Sequence, residues 1–121
     1  MKFACLVYIG GADSAERYPA ADAVIRDARA YDDELRQSGH FIMGQALQPA
    51  RDAVTLRLRD GEMSATDGPF AETKEQLAGF TLIEAQDFDE AIRLARGLPM
   101  GRVATIEVRP FYVGPSAMGE R

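Results

Sequence analysis

Residues Phe3-Ala4-Cys5-Leu6-Val7-Tyr8-Ile9 are apolar at every position and are followed by Gly10-Gly11. A surface helix would break such a run with polar residues at 3.6 spacing, and a half-exposed strand would alternate. This short, β-branched and aromatic stretch, stopped by glycines, reads as a strand covered on both faces. The chain has 121 residues, with 46% hydrophobic and 27% charged side chains. That is one ordinary globular domain, long enough to bury roughly two-thirds of its unfolded surface without a metal or disulfide staple. The difficulty is to find cover for both sides of one strand within so short a chain.

The remaining elements follow from periodicity. Val24, Ala28, Tyr31 and Leu35 lie on one face of a helix expected from about Pro19 to Ser38, with Gly39 placed to end it. His40 to Leu47 reads as a strand. Val54, Leu56 and Leu58 alternate with Thr55, Arg57 and Arg59, the pattern of a half-buried strand. Asp60-Gly61 is a hairpin turn, with a return strand over Glu62 to Thr66. Ala71 to Leu77 reads as one or two helical turns ended by Gly79, and Phe80 to Ala85 as a strand. Asp87 and Glu90 form a capping box for a second helix, whose apolar face is Phe88, Ala91, Ile92, Ala95 and Leu98. Ala104, Ile106 and Val108 alternate in a last strand. Residues 1–113 form a single domain, and 114–121 a Gly-, Pro- and Ser-rich tail.

Two helices interleaved with mainly antiparallel strands give an α+β, split βαβ plan with both helices on one face of the sheet. Leu6 and Tyr8 project opposite to Cys5 and Val7, so apolar side chains point to the helix-free face. With no chain left to cover them, a homodimer with face-to-face sheets is expected.

Charge and cysteine content bound the partners. Lys plus Arg is 14 and Asp plus Glu is 19, a net charge of −5. There is no basic stripe for phosphate contacts, so nucleic acid is not expected as a partner. The lone Cys5 excludes an internal disulfide and fits a reducing, cytoplasmic setting. The apolar run at the N-terminus is a poor signal peptide, and none reaches the ~20 residues of a membrane span. One histidine and no cysteine cluster give no metal site, and no Gly-rich phosphate loop points to a cofactor.

The run Asp67-Gly68-Pro69-Phe70-Ala71-Glu72-Thr73-Lys74-Glu75-Gln76-Leu77-Ala78-Gly79-Phe80 is more elaborate than a turn requires. It is similar to the signature of the DGPF proteins, a branch of the YCII-related family. The Gly44-Gln45-Ala46-Leu47-Gln48-Pro49 segment, Asp89-Glu90-Ala91 and the closing Ile106-Glu107-Val108-Arg109-Pro110 agree in order and spacing. The resemblance implies a ferredoxin-like domain of the dimeric α/β-barrel type. It also implies two functional settings: YCII-type proteins have been proposed as enzymes using a His–Asp pair, and DGPF relatives occur beside, or fused to, sigma-factor regulators. YCII proteins carry a histidine in the first helix. The helix here has none, which leaves His40 as the sole histidine partner for Asp67.

Each candidate residue has a functional and a plain role. Asp67 can act as acid or base, or hold the turn by bonding backbone amides. His40 can be its partner, or cap the helix end. Lys74 and Glu75 can bind a polar ligand, or form solvated ion pairs. Phe70 can wall a pocket, or anchor the loop to the core. Tyr8 can donate to a ligand, or pack at the dimer face. Arg109 can bind an anion, or pair with Glu107 two residues earlier. Three functions are open: a homodimer binding a small metabolite in a polar pocket near the motif; a cofactor-independent enzyme using Asp67 with His40 or Lys74; and a structural or regulatory partner domain.

Overall fold

The computed structural model describes residues 1–10, 22–71 and 74–114. The elements are β1 (Lys2–Gly10), α1 (Asp22–Gln37), β2 (Phe41–Ala46), a 3₁₀ turn (Ala50–Asp52), β3 (Val54–Arg59), β4 (Glu62–Asp67), β5 (Glu75–Glu84), α2 (Phe88–Arg96), a 3₁₀ turn (Pro99–Arg102) and β6 (Thr105–Pro110). The main sheet has the order β2-β5-β1-β6, and β3 and β4 make a separate two-stranded sheet. All pairings are antiparallel. With helices after β1 and β5, this is the split βαβ plan expected from the order of elements.

β1 sits at the centre because it is the most apolar strand. Phe3, Cys5, Val7 and Ile9 are buried. Phe3, Cys5 and Ile83 join Leu35 of α1 and Ala91, Leu94 and Ala95 of α2 in one core. Ala4, Leu6 and Tyr8 are only half-buried within one chain, so cover on both faces of β1 is completed on the helix side alone. The register sets Leu6 opposite Phe80, Ala4 opposite Leu82, and Leu82 opposite Met43. The helix-free face is therefore apolar across β1, β5 and Met43, and polar along β6, where Thr105, Glu107 and Arg109 stand opposite Tyr8, Leu6 and Ala4.

Local chemistry fixes the joints. Asp60 and Gly61 have φ of 51° and 80°, the left-handed pair that a two-residue hairpin turn demands. Gly68, at φ 97°, turns the chain out of β4, and its amide donates to the Ala53 carbonyl at 2.7 Å. Asp87 caps α2 by accepting from the Glu90 amide at 2.8 Å. The Glu90 carboxylate accepts from the Gln86 amide, also at 2.8 Å, one residue before the cap.

Several expectations are corrected. Residues 75–77 are not helical: β5 begins at Glu75, where Gly10 pairs with Glu75 and Ile9 with Gln76. The ladder to β1 satisfies those backbone groups over a longer span than a short helix could. Gly79 ends nothing; it lies inside β5, where a Cβ would come 2.8 Å from the Gln45 carbonyl of β2. β3 is exposed rather than half-buried, because the hairpin stands off the main sheet. Phe88 is 42% exposed although its ring lies 5.5 Å from that of Phe3, and Leu94 takes the buried place on α2. The expected helix start at Pro19 and the tail from 115 onward lie outside the described residues.

Candidate functional site

The expected site residues fall into three groups. The first gathers at one end of the sheet. Tyr8, Lys74 and Glu75 line an open recess of about 500 Å³ together with Thr105. The Thr105 hydroxyl donates to the Glu75 carboxylate at 2.9 Å. The Tyr8 hydroxyl donates to Glu107 at 3.3 Å. Arg109 donates to both oxygens of Glu107 at 3.0 Å, the in-sheet pair the spacing suggested. Burial pushes the Tyr8 phenol up, and the adjacent Glu107 carboxylate adds to this. Tyr8 is thus held as a neutral hydrogen-bond donor. The bond to Glu107 raises the Arg109 guanidinium further. Sequence-distant residues meet here because β1 pairs with both β5 and β6.

The second group lies on the hairpin. Asp67 is the last residue of β4, exposed and opposite Val54. Phe70 is 74% exposed and does not anchor the motif to the core. Its ring instead meets the Arg57 guanidinium at 5.2 Å, a cation–π contact. The turn is held by backbone: besides the Gly68 amide, the Thr55 hydroxyl donates to the Gly68 carbonyl at 2.8 Å.

His40 stands apart. Its Nδ1 is 2.8 Å from the Glu84 carbonyl and 4.0 Å from the Glu90 carboxylate. These bonds hold it where β5 ends and α2 begins. Asp67 belongs to the hairpin that precedes β5, and within one chain no contact joins it to His40. The pairing expected from sequence is not formed. β5 separates the helix-end histidine from the motif, and a strand of 10 residues spans roughly 30 Å.

A further cavity lies between α1 and the sheet. It has a volume of about 410 Å³ and a mostly apolar wall that includes Val7, Ile25, Ala28 and Leu98. Arg29 and Asp32 of α1 and Thr81 of β5 also line it. Thr81 is 9% exposed, the one buried polar residue among those described. None of these three side chains makes a hydrogen bond or ion pair with the described residues. Burial raises the Asp32 carboxyl, partly offset by nearby Arg36. Gly44 opens one wall: a Cβ there would meet Phe41 and the Thr81 hydroxyl at 3.5 Å, an ordinary contact. The signal for Asp32 was its place eight residues after Val24 and four after Ala28, on the apolar stripe. For Thr81 it was alternation with Ile83 on the core side of β5. Neither marks a cavity without the helix–sheet spacing.

Among the described residues no three His, Cys, Asp or Glu side chains cluster as metal ligands would. Cys5 is buried, and burial pushes its thiol up to about 11, which makes it a poor nucleophile.

Comparison with known proteins agrees with this architecture. An uncharacterised protein of Rhizobium meliloti (strain 1021) is 43% identical over 92 residues, 74% of each chain. A solved structure with the same fold is 5-chloro-2-hydroxyhydroquinone dehydrochlorinase from Burkholderia phenoliruptrix AC1100, in complex with 2,5-dihydroxybenzoquinone. It aligns at a TM-score of 0.53 and 16% identity, over 94% of this chain and 96% of the other. The α+β fold with its antiparallel sheet thus resembles that of the dehydrochlorinase. The model of the YCII-related domain matches residues 1–113, and with that match the chain belongs to the YCII-related domain family.

Proposed function

We propose that this protein is a homodimer that binds a small, largely apolar metabolite bearing hydroxyl or carbonyl groups, in the cavity between α1 and the sheet. One observation carries the reading: Arg29, Asp32 and Thr81, none of them hydrogen-bonded through its side chain to the described residues, line with Gln45 a cavity whose wall is mostly apolar. Ligand sites have this character, with a few placed polar groups in an oily wall. The recess at Tyr8, Lys74 and Glu75 is more open, its Glu75 already accepts from Thr105, and its Tyr8 hydroxyl is directed to Glu107, so it is the weaker site. The Asp67-Gly68-Pro69-Phe70 sequence supports a place in the DGPF branch, and the apolar helix-free face supports the dimer. A cytoplasmic setting follows from the same sequence arguments.

The test is thermal stability against a panel of small hydroxylated aromatic and alicyclic compounds. A ligand that binds the native state raises the melting temperature by mass action. Gly44→Val, which has room for its Cβ and intrudes on the cavity, should abolish the shift and leave the unliganded melt nearly unchanged. A shift that survives Gly44→Val but is lost with Lys74→Ala would place the ligand in the Tyr8 recess instead.

A second reading is enzymatic. A carboxyl raised by burial and facing a cavity is suited to acid–base work, and Asp32 meets both conditions where Asp67 and His40 do not meet each other. The dehydrochlorinase shares the fold only. Turnover of a bound compound, lost in Asp32→Asn with binding retained, would favour catalysis; binding without turnover favours a sensing or regulatory role.

A further inference from the structure

The β3–β4 hairpin carries an uncovered oily side. Val54, Leu56 and Leu58 alternate on β3, and the register sets Ala65 and Met63 opposite Leu56 and Leu58. Thr55, Arg57 and Arg59 lie on the other side, where Phe70 packs against Arg57. Val54 is 59% exposed, Leu56 63%, Leu58 67% and Met63 66%. A two-stranded ribbon with one bare apolar face is marginal in water on its own. We infer that this hairpin is an arm that clasps a second copy of the chain, its Leu56, Leu58 and Met63 side lying against the partner. The inference rests on the homodimer proposed above and adds a second contact to it.

Size and reach select the occupant. The hairpin's apolar side exposes on the order of 400 Å², the size at which a contiguous patch marks an interaction surface. That is half of the ~800 Å² per partner that a stable interface buries. Among the described residues a second uncovered apolar surface is the helix-free face, with Met43 46% and Leu77 40% exposed. A single partner that covers both surfaces buries more than the hairpin alone can offer, and a second copy offers both in return under two-fold symmetry. The reach also fits. The hairpin strands have six residues each, a length of roughly 20 Å, and four strands at ~4.8 Å spacing make a sheet of about the same breadth. The arm is rooted beside the edge strand β2 and is long enough to cross a partner's sheet.

Sedimentation equilibrium of the full chain and of Leu58→Asp, with amide exchange of β3 and β4 read above and below the dimer dissociation constant, tests this. The expected result is a dimer dissociation constant raised roughly tenfold or more in Leu58→Asp, as loss of one buried leucine predicts. In the unaltered chain, hairpin amides should be slowed only where dimer is populated. A dimer whose affinity ignores Leu58→Asp, with hairpin exchange independent of concentration, overturns the arm and leaves the sheet-to-sheet dimer standing. An unaltered chain that stays monomeric at every concentration overturns both. Should Leu58→Asp fail to fold, the exchange of the unaltered chain decides alone.

Discussion

β1 and β3 make an instructive pair. Both alternate in their burial or polarity, both sit in antiparallel ladders, and both carry three or four apolar side chains on one side. On β1 that side is covered: Phe3 and Cys5 are 0% exposed and Val7 6%. On β3 the equivalent side is more than half exposed at Val54, Leu56 and Leu58. Alternation specifies a strand with an apolar face. It does not specify what covers that face. For β1 the cover is α1 and α2 of the same chain, and for β3 the described residues of its own chain supply none.

The largest test of this contrast is truncation in the two strands. Phe3→Ala should cost about 3–5 kcal/mol in chemical denaturation, since the ring is fully enclosed and its loss leaves a cavity. Leu56→Ala, measured in dilute protein, should cost no more than about 0.5 kcal/mol, as exposed substitutions do. A rise in that second cost with protein concentration would sharpen the contrast, by showing that the hairpin's cover comes from another molecule. Equal costs at low concentration would break it.

Between these extremes lies Gly97, where α2 ends against α1. A Cβ there would come 2.4 Å from the Tyr31 hydroxyl, which donates to the Leu94 carbonyl at 2.6 Å. Gly97→Ala must push that rigid ring aside and break the bond, so a loss of roughly 1–3 kcal/mol is expected. Tyr31→Leu with Gly97→Ala should cost less than the two single changes summed, because the hydroxyl and the ring carbons Cζ and Cε1, 2.6 and 2.9 Å from that Cβ, are all gone. Such coupling belongs to the packed body and has no counterpart on the hairpin.

The smallest effect concerns pH at the helix-side cavity. Burial raises the Asp32 carboxyl in the folded protein, so folding favours its protonated form. Its contribution to stability is full below the unfolded carboxyl range and is lost as pH rises through the raised value. At neutral pH the ionised, partly desolvated carboxylate is a cost. Asp32→Asn should therefore melt slightly higher than the unaltered protein at pH 7, and the gain should vanish near pH 3. A gain that persists at pH 3 would point to packing instead of charge.

Much of the fold was legible because local signals agreed with the final contacts. The Asp60-Gly61 turn, the Asp87 cap and the apolar run of β1 each name their element through backbone geometry or side-chain periodicity. The Glu107–Arg109 pair was legible for the same reason, since strand spacing alone puts the two side chains on one face. The segment after Asp67 was misread because Lys74-Glu75-Gln76-Leu77 has good helix formers and the register with β1 that overrides them is non-local. Tyr8, Lys74 and Glu75 could be singled out by type, but their meeting needed the β1–β5 and β1–β6 ladders. The same ladders leave Asp67 and His40 without a contact, although nothing in their spacing forbade it.

By itself, then, the sequence determined where strands and helices form and which side of each is oily, because those properties depend on neighbours within a few residues. Only the tertiary structure decided which oily sides find cover, that residues 75–79 join the sheet, and that Arg29, Asp32 and Thr81 share a cavity. Those outcomes depend on contacts between segments far apart in the chain, and no local pattern encodes the distance between a helix and a strand.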